Sequence, residues 1–159
     1  MDKFDQFLNE LQERVFDETR EAYGEKGFER WRNPRYNDRM TSADSFARVT
    51  GECGDSIEIY LKIENNRVKD ASYFTEGCGS SSICGSFAAE LAIGRDLQAV
   101  TDINGEAVLN AIGQLRDDDR HCADLAATAL QEALSQYMKR CVSGERTPPD
   151  PNRQERSEQ

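Results

Sequence analysis

Between Ser56 and Glu64 the chain alternates Ile57, Ile59, Leu61 and Ile63 with Ser56, Glu58, Tyr60 and Lys62. A period of two places the four aliphatic side chains on one face of a strand. Asn65-Asn66 suits the positive backbone angles of a tight hairpin turn, and Val68 to Thr75 then supplies a returning strand with Val68 and Tyr73 or Phe74 available for packing. Ala47 to Thr50 reads as a further short strand, so an antiparallel meander is expected.

Elsewhere the period lengthens. Phe4, Phe7, Leu8, Leu11, Val15 and Phe16 recur every three or four residues, predicting a helix from about Phe4 to Tyr23 whose apolar stripe docks on something, a dimer interface being one possibility. Gly24 and Gly27 interrupt it, Phe28 and Trp31 form a small aromatic packing cluster, and Asn33-Pro34-Arg35 opens a polar loop that runs through Asp44. Ser80, Ser81 and Ser82 offer N-cap hydroxyls to a helix that passes Phe87, Leu91 and Ile93 and stops at Gly94. Further helices are expected over Asn104 to Leu115 and from about Asp119 to Arg140, the latter with Leu125, Ala126, Ala129, Leu130, Ala133, Leu134 and Tyr137 on its apolar side. Strands followed by helices predict an α+β fold: a small antiparallel meander covered by helices on one face, wetter on the other, with a long C-terminal helix. From Ser143 onward, glycine, prolines and aperiodic polar residues predict a disordered tail.

A chain of 159 residues suits one compact domain and one site. Thirty acidic against 20 basic residues, a formal charge of -10, oppose nucleic acid as a partner. No stretch approaches the roughly 20 apolar residues needed to cross a bilayer, and the first residues carry no signal-peptide apolar core, so a cytoplasmic protein without a membrane partner is expected. Five cysteines, an odd number, fit thiols kept reduced for metal or sulfur chemistry better than a disulfide framework.

The candidate chemistry lies in three frames: Cys53-Gly54-Asp55, Gly77-Cys78-Gly79-Ser80 and His121-Cys122, the last holding the only histidine. Thiolate and imidazole bind zinc and iron, and the Asp55 carboxylate adds a harder oxygen donor. Cys53 and Asp55, two apart, leave the same side of an extended backbone and could converge on one ion. Cys78 and Cys122 both precede or open helices, where free N–H groups favour a thiolate; Asp117, Asp118 and Asp119 oppose that at Cys122, and the sign of the balance stays open. Taken singly, each frame is more often a turn or loop than a ligand set. Cys84, beside Ile83 and Phe87, reads as a small buried hydrophobe, and Cys141 as an incidental free thiol.

In order and spacing, Asn33-Pro34-Arg35, Cys53-Gly54-Asp55, the hairpin, Gly77-Cys78-Gly79-Ser80 and His121-Cys122 resemble the U-type iron–sulfur cluster assembly scaffold family, shared by IscU and the N-terminal domain of NifU. The likeness spans about Trp31 to Tyr137. It implies that Cys53, Cys78 and Cys122 hold a nascent [2Fe–2S] cluster, that Asp55 tunes its lability and that His121 serves as an alternative ligand. It further implies a cysteine desulfurase delivering persulfide sulfur to one of the three cysteines, an iron donor, and recipient apo-proteins. On this reading residues 1–30 form an extra N-terminal amphipathic helix, 31–142 a NifU-like scaffold domain and 143–159 the tail. The Leu-Pro-Pro-x-Lys segment of the family is absent, since residues 116–120 read Arg-Asp-Asp-Asp-Arg, a departure that bears against chaperone-assisted release.

A non-enzymatic scaffold is therefore the leading expectation, with zinc able to occupy the same donors. The alternative is a zinc-dependent persulfide sulfur acceptor, a sulfurtransferase. Such relatives usually carry an insertion between the second and third cysteine regions, for which the 43 residues between Cys78 and Cys122 leave little space.

Overall fold

Three strands, β1 (Ser45–Thr50), β2 (Ser56–Glu64) and β3 (Arg67–Thr75), form an antiparallel sheet in the order β1-β2-β3. The structure, a computed structural model, describes residues 2–144. Among the described residues five helices accompany the sheet: α1 (Lys3–Arg32), α2 (Gly79–Ala92), α3 (Leu97–Val100), α4 (Gly105–Ile112) and α5 (Arg120–Ser143), the last preceded by a 3-10 turn at Asp117–Asp119. The β2–β3 hairpin turns at Asn65 and Asn66, with φ of 54° and 63°, as their side chains allow. Ile57, Ile59 and Leu61 are fully buried on the helix-covered face, where α2 lies on β3 and α5 on β1 and β2.

The opposite face is drier than the alternation predicts. Met40, Ala43, Phe46 and Tyr60 build a second small cluster there, the rings of Phe46 and Tyr60 stacked at 5.4 Å. Segment 33–44 covers this face because its backbone is tied to β3: Asp38 N–H donates to Tyr73 O, and Tyr73 N–H to Tyr36 O. Glu58, buried, receives Arg39 at 3.0 Å and the Tyr60 hydroxyl at 3.0 Å, so the charge that alternation assigned to solvent is paired instead.

The N-terminal helix also departs from expectation. It does not end at Tyr23 but continues to Arg32 across a kink at Gly24, whose φ of 73° and ψ of -179° only glycine adopts readily. Around the kink and beyond it the helix docks: Ala22 and Tyr23 just before Gly24, and Phe28 and Arg30 after it, are buried, Arg30 donating to Ser86 and Glu90 at 3.0 Å and lying 4.0 Å over the Phe87 ring. Before it, the apolar stripe does not dock. Phe4, Phe7, Leu8, Leu11 and Val15 are 43–63% exposed, and only Phe16 packs edge-on against Phe28 and Trp31.

In α2 the three serines lie inside the first turn, and Cys78 is the N-cap residue without a side-chain cap bond. Their hydroxyls are engaged elsewhere: Ser80 with Tyr23, Ser81 with Asp55, Ser82 with Tyr73. The short α3, capped by Asp96, carries too few residues for a helical period to show. Helix α4 stops before Gly113 (φ 92°), short of Leu115. Helix α5 closes on Gly144 in the left-handed conformation, and the tail expected beyond it lies outside the described residues.

Candidate metal centre

Three chain segments that are remote in sequence deliver donors to one place. Asp55 ends the loop that leads into β2, Cys78 caps α2, and Cys122 lies in the first turn of α5; one oxygen and two sulfurs lie within 4.8 Å of one another. Two thiolates on one tetrahedral zinc stand about 3.8 Å apart, so a small contraction would bring this group to ligand spacing.

Ser81 holds the group together. Its hydroxyl donates to Asp55 Oδ2 at 2.9 Å, the Cys78 thiol donates to the same oxygen at 3.3 Å, and Cys122 Sγ lies 3.6 Å from Ser81 Oγ. Gly77 permits the approach: a Cβ there would stand 2.8 Å from Asp55 Cγ. The Gly77 N–H is held by Thr75 Oγ1, whose hydroxyl donates to Ser56 O, so the loop carrying Cys78 is pinned to the strand that Asp55 leads into.

Helix α1 braces the same centre from behind. Tyr23 meets Ser80 at 3.1 Å in the buried start of α2, its ring receives the Arg116 guanidinium at 5.8 Å, and Trp31 packs where a Gly79 Cβ would project. Sequence reasoning missed Ser81, Tyr23 and Gly77 in these roles. The three-residue step from Cys78 to Ser81, which sets both on one helix face, was the available signal.

The electrostatics divide by depth. Hydrogen bonds from Ser81, then from Cys78, hold the Asp55 carboxyl below its usual range. Burial pushes the Cys122 thiol up to about 12, with Cys78 and Asp119 adding to the shift and Ser81 opposing it. The balance left open at Cys122 therefore falls on the side of the neutral thiol, because desolvation outweighs the helix N-terminus. Cys84 is fully buried, as expected of a small hydrophobe, and burial raises its thiol well above the usual value.

His121 is exposed with Nε2 3.6 Å from Cys122 Sγ, within reach of the group but outside the trio. Cys53 is not gathered. It is exposed in a turn closed by Gly54 N–H to Gly51 O and Gly51 N–H to Asp55 O, and Gly54, at φ 89°, breaks the extended backbone that would have sent Cys53 and Asp55 to one side. Cys141 is an exposed free thiol near the end of α5. Among the described residues no helix is long and apolar enough to cross a membrane.

The chain is 34% identical over 119 residues to the iron-sulfur cluster assembly scaffold protein IscU 1 of Archaeoglobus fulgidus, covering 74% of this chain and 78% of that protein. It is 30% identical over 121 residues to the IscU scaffold protein of Haemophilus influenzae, covering 73% of this chain and 95% of that one. The crystal structure of the N-terminal part of a NifU-like protein from Brucella abortus shares the fold with a TM-score of 0.63 at 19% identity, over 76% of this chain and 96% of that chain. The family model described as NifU-like N terminal domain matches residues 22–143, which takes in the docked half of α1 and every candidate ligand, and the chain belongs to that family.

Proposed function

We propose that this protein is a scaffold on which a transient iron–sulfur cluster is built from delivered sulfur and iron and then passed to recipient apo-proteins. The observation that carries the reading is the convergence of Asp55, Cys78 and Cys122 within 4.8 Å in a chain of this family. Relatives named as iron-sulfur cluster assembly scaffolds support the same reading.

The cargo in this proposal is a [2Fe–2S] cluster held by Cys53, Cys78 and Cys122 with Asp55 or His121 completing the set. Cys78 and Cys122 are the fixed part, anchored on two helices. Cys53 is the part that has to move in this scheme, because its exposed turn between β1 and β2 holds it outside the trio. One mobile thiolate and one carboxylate among the donors suit a site that must both hold and release its cargo. Zinc fits the same donors. A cysteine desulfurase is the sulfur source in this scheme, one of the three cysteines accepts the sulfur as a persulfide, and ferrous iron together with an external electron donor reduces it to sulfide as the cluster forms.

The sulfurtransferase alternative gains no support from the interval between Cys78 and Cys122, which is filled by α2, α3, α4 and the 3-10 turn. The test is a serine series under anaerobic loading with ferrous iron and sulfide. Cys53→Ser, Cys78→Ser and Cys122→Ser should each lose a stable cluster while Cys141→Ser keeps it. A stable cluster in all three site variants would reject the ligand set.

A further inference from the structure

The largest run of exposed apolar side chains among the described residues lies on the first half of α1, far along the chain from the metal centre. Phe4 is 63% exposed, Phe7 58%, Leu8 and Leu11 45%, and Val15 43%, all on one stripe of a helix that no other element covers. Docking begins at Phe16, Ala22 and Tyr23, before the Gly24 kink, and leaves the stripe from Phe4 to Val15 exposed. Lone exposed apolar residues need no explanation, but five on one stripe mark an interaction surface.

The residues bordering the stripe say what covers it. Phe4, Leu8, Leu11 and Val15 fall on successive 4-3-4 steps, the seam of a two-helix pair, and Glu18 takes the next seam position. In a parallel pair Glu18 would face Glu18 of the other helix, like charge against like. In an antiparallel pair Leu8 meets Leu11 of the second copy and Phe4 meets Val15. The flank that carries Lys3, Phe7 and Arg14 then faces itself in reverse, so Lys3 reaches Glu18 of the second copy and Arg14 reaches its Phe7 ring. Glu13 points away from the seam, and Glu10 and Asp17, at the same heptad position as Lys3, lie along the outer edge of that flank.

The geometry points to self-association: two copies of this chain pair through antiparallel α1 arms centred on Leu8 and Leu11. Covering both stripes would bury on the order of 1,000 Å² in total, the lower bound for a specific interface, so the dimer forms at micromolar rather than nanomolar concentration. Each chain carries a net charge of -10, which opposes the approach of two copies at long range. Salt screens that repulsion, so the dimer strengthens as ionic strength rises.

Sedimentation velocity on the full chain from 1 to 200 µM, at 20 and 300 mM salt, tests this. The expected result is a monomer–dimer equilibrium that shifts toward dimer with concentration and with salt. Leu8→Glu combined with Leu11→Glu should give monomer throughout, and Phe4→Ala with Phe7→Ala should weaken the dimer at least tenfold. Both variants should keep the wild-type thermal midpoint and zinc stoichiometry, since the stripe supports neither the core nor the metal centre. A photo-crosslinker at position 4 should capture the peptide around Val15 of an isotopically labelled second copy. A monomeric wild-type chain at 200 µM, dimers that survive both variants, or capture around position 4 of the second copy would overturn the proposal, and a monomer would leave the stripe to a different protein partner.

Discussion

The Ser81 hydroxyl donates to the Asp55 carboxylate over 2.9 Å, joining the first turn of α2 to the loop that opens β2. The Ser81 oxygen also stands 3.6 Å from Cys122 Sγ, so one serine lowers both the Asp55 carboxyl and, against burial, the Cys122 thiol. Ser81→Ala removes that hydrogen bond. The Asp55 carboxyl should rise toward its ordinary pKa, and zinc affinity, read by competition with a chelator, should fall roughly tenfold, the usual effect of losing a hydrogen-bond partner behind a ligand.

Gly77→Ala tests the same geometry from the other side. A methyl group 2.8 Å from Asp55 Cγ has no room, so the carboxylate must leave Cys78 or the loop must shift. Zinc affinity should drop at least tenfold while the thermal midpoint changes little, because the collision is local to the site. Unchanged affinity would show that Asp55 does not bind where it stands.

The raised Cys122 pKa gives two pH dependences. Zinc must displace the thiol proton, so its affinity should increase with pH across the neutral range, and binding should release protons measurable in weakly buffered solution. Stability runs the opposite way in metal-free protein. A thiol that folding moves up to about 12, from about 8.5 when unfolded, contributes stability below the lower value and loses it as pH climbs toward the higher one. Thermal midpoints measured from pH 8 to 11 should decline, and less steeply in Cys122→Ala.

Arg30 anchors the docked half of α1, and its loss should be felt as stability. Arg30→Ala leaves Ser86 and Glu90 without their donor and uncovers Phe87. With Glu90 37% exposed and able to recover water, the cost should be about 2 kcal/mol, roughly 4–8 °C in thermal midpoint. Zinc stoichiometry should be preserved, since the braces nearest the metal centre are Tyr23 and Trp31.

The hairpin and α5 were legible in the sequence because their order is local: a two-residue period with Asn65-Asn66 between the strands, and a long helical stripe. What periodicity reports is that a face is apolar, without naming what covers it. The second face of β2, expected to be wet, is roofed by segment 33–44, and the apolar stripe of α1 announced an interface without naming its partner. The site was legible as a set of residue types through family resemblance. Its internal wiring was not, since Ser81 finds Asp55 across 26 residues and Cys122 across 41. The placement of Cys53 turned on the backbone angles of Gly54, which permit the two-apart alignment or its opposite.

The central claim is that these donors assemble and release a cluster. Anaerobic incubation with ferrous iron, cysteine, a cysteine desulfurase and dithiothreitol as reductant, with iron and labile sulfide counted together before and after mixing with apo-ferredoxin, tests it most directly. The account predicts iron and sulfide in equal amounts on the protein, a visible [2Fe–2S] spectrum, and movement of both elements to the ferredoxin. Sulfur carried on the cysteines with no iron retained would contradict it and identify a sulfur acceptor instead.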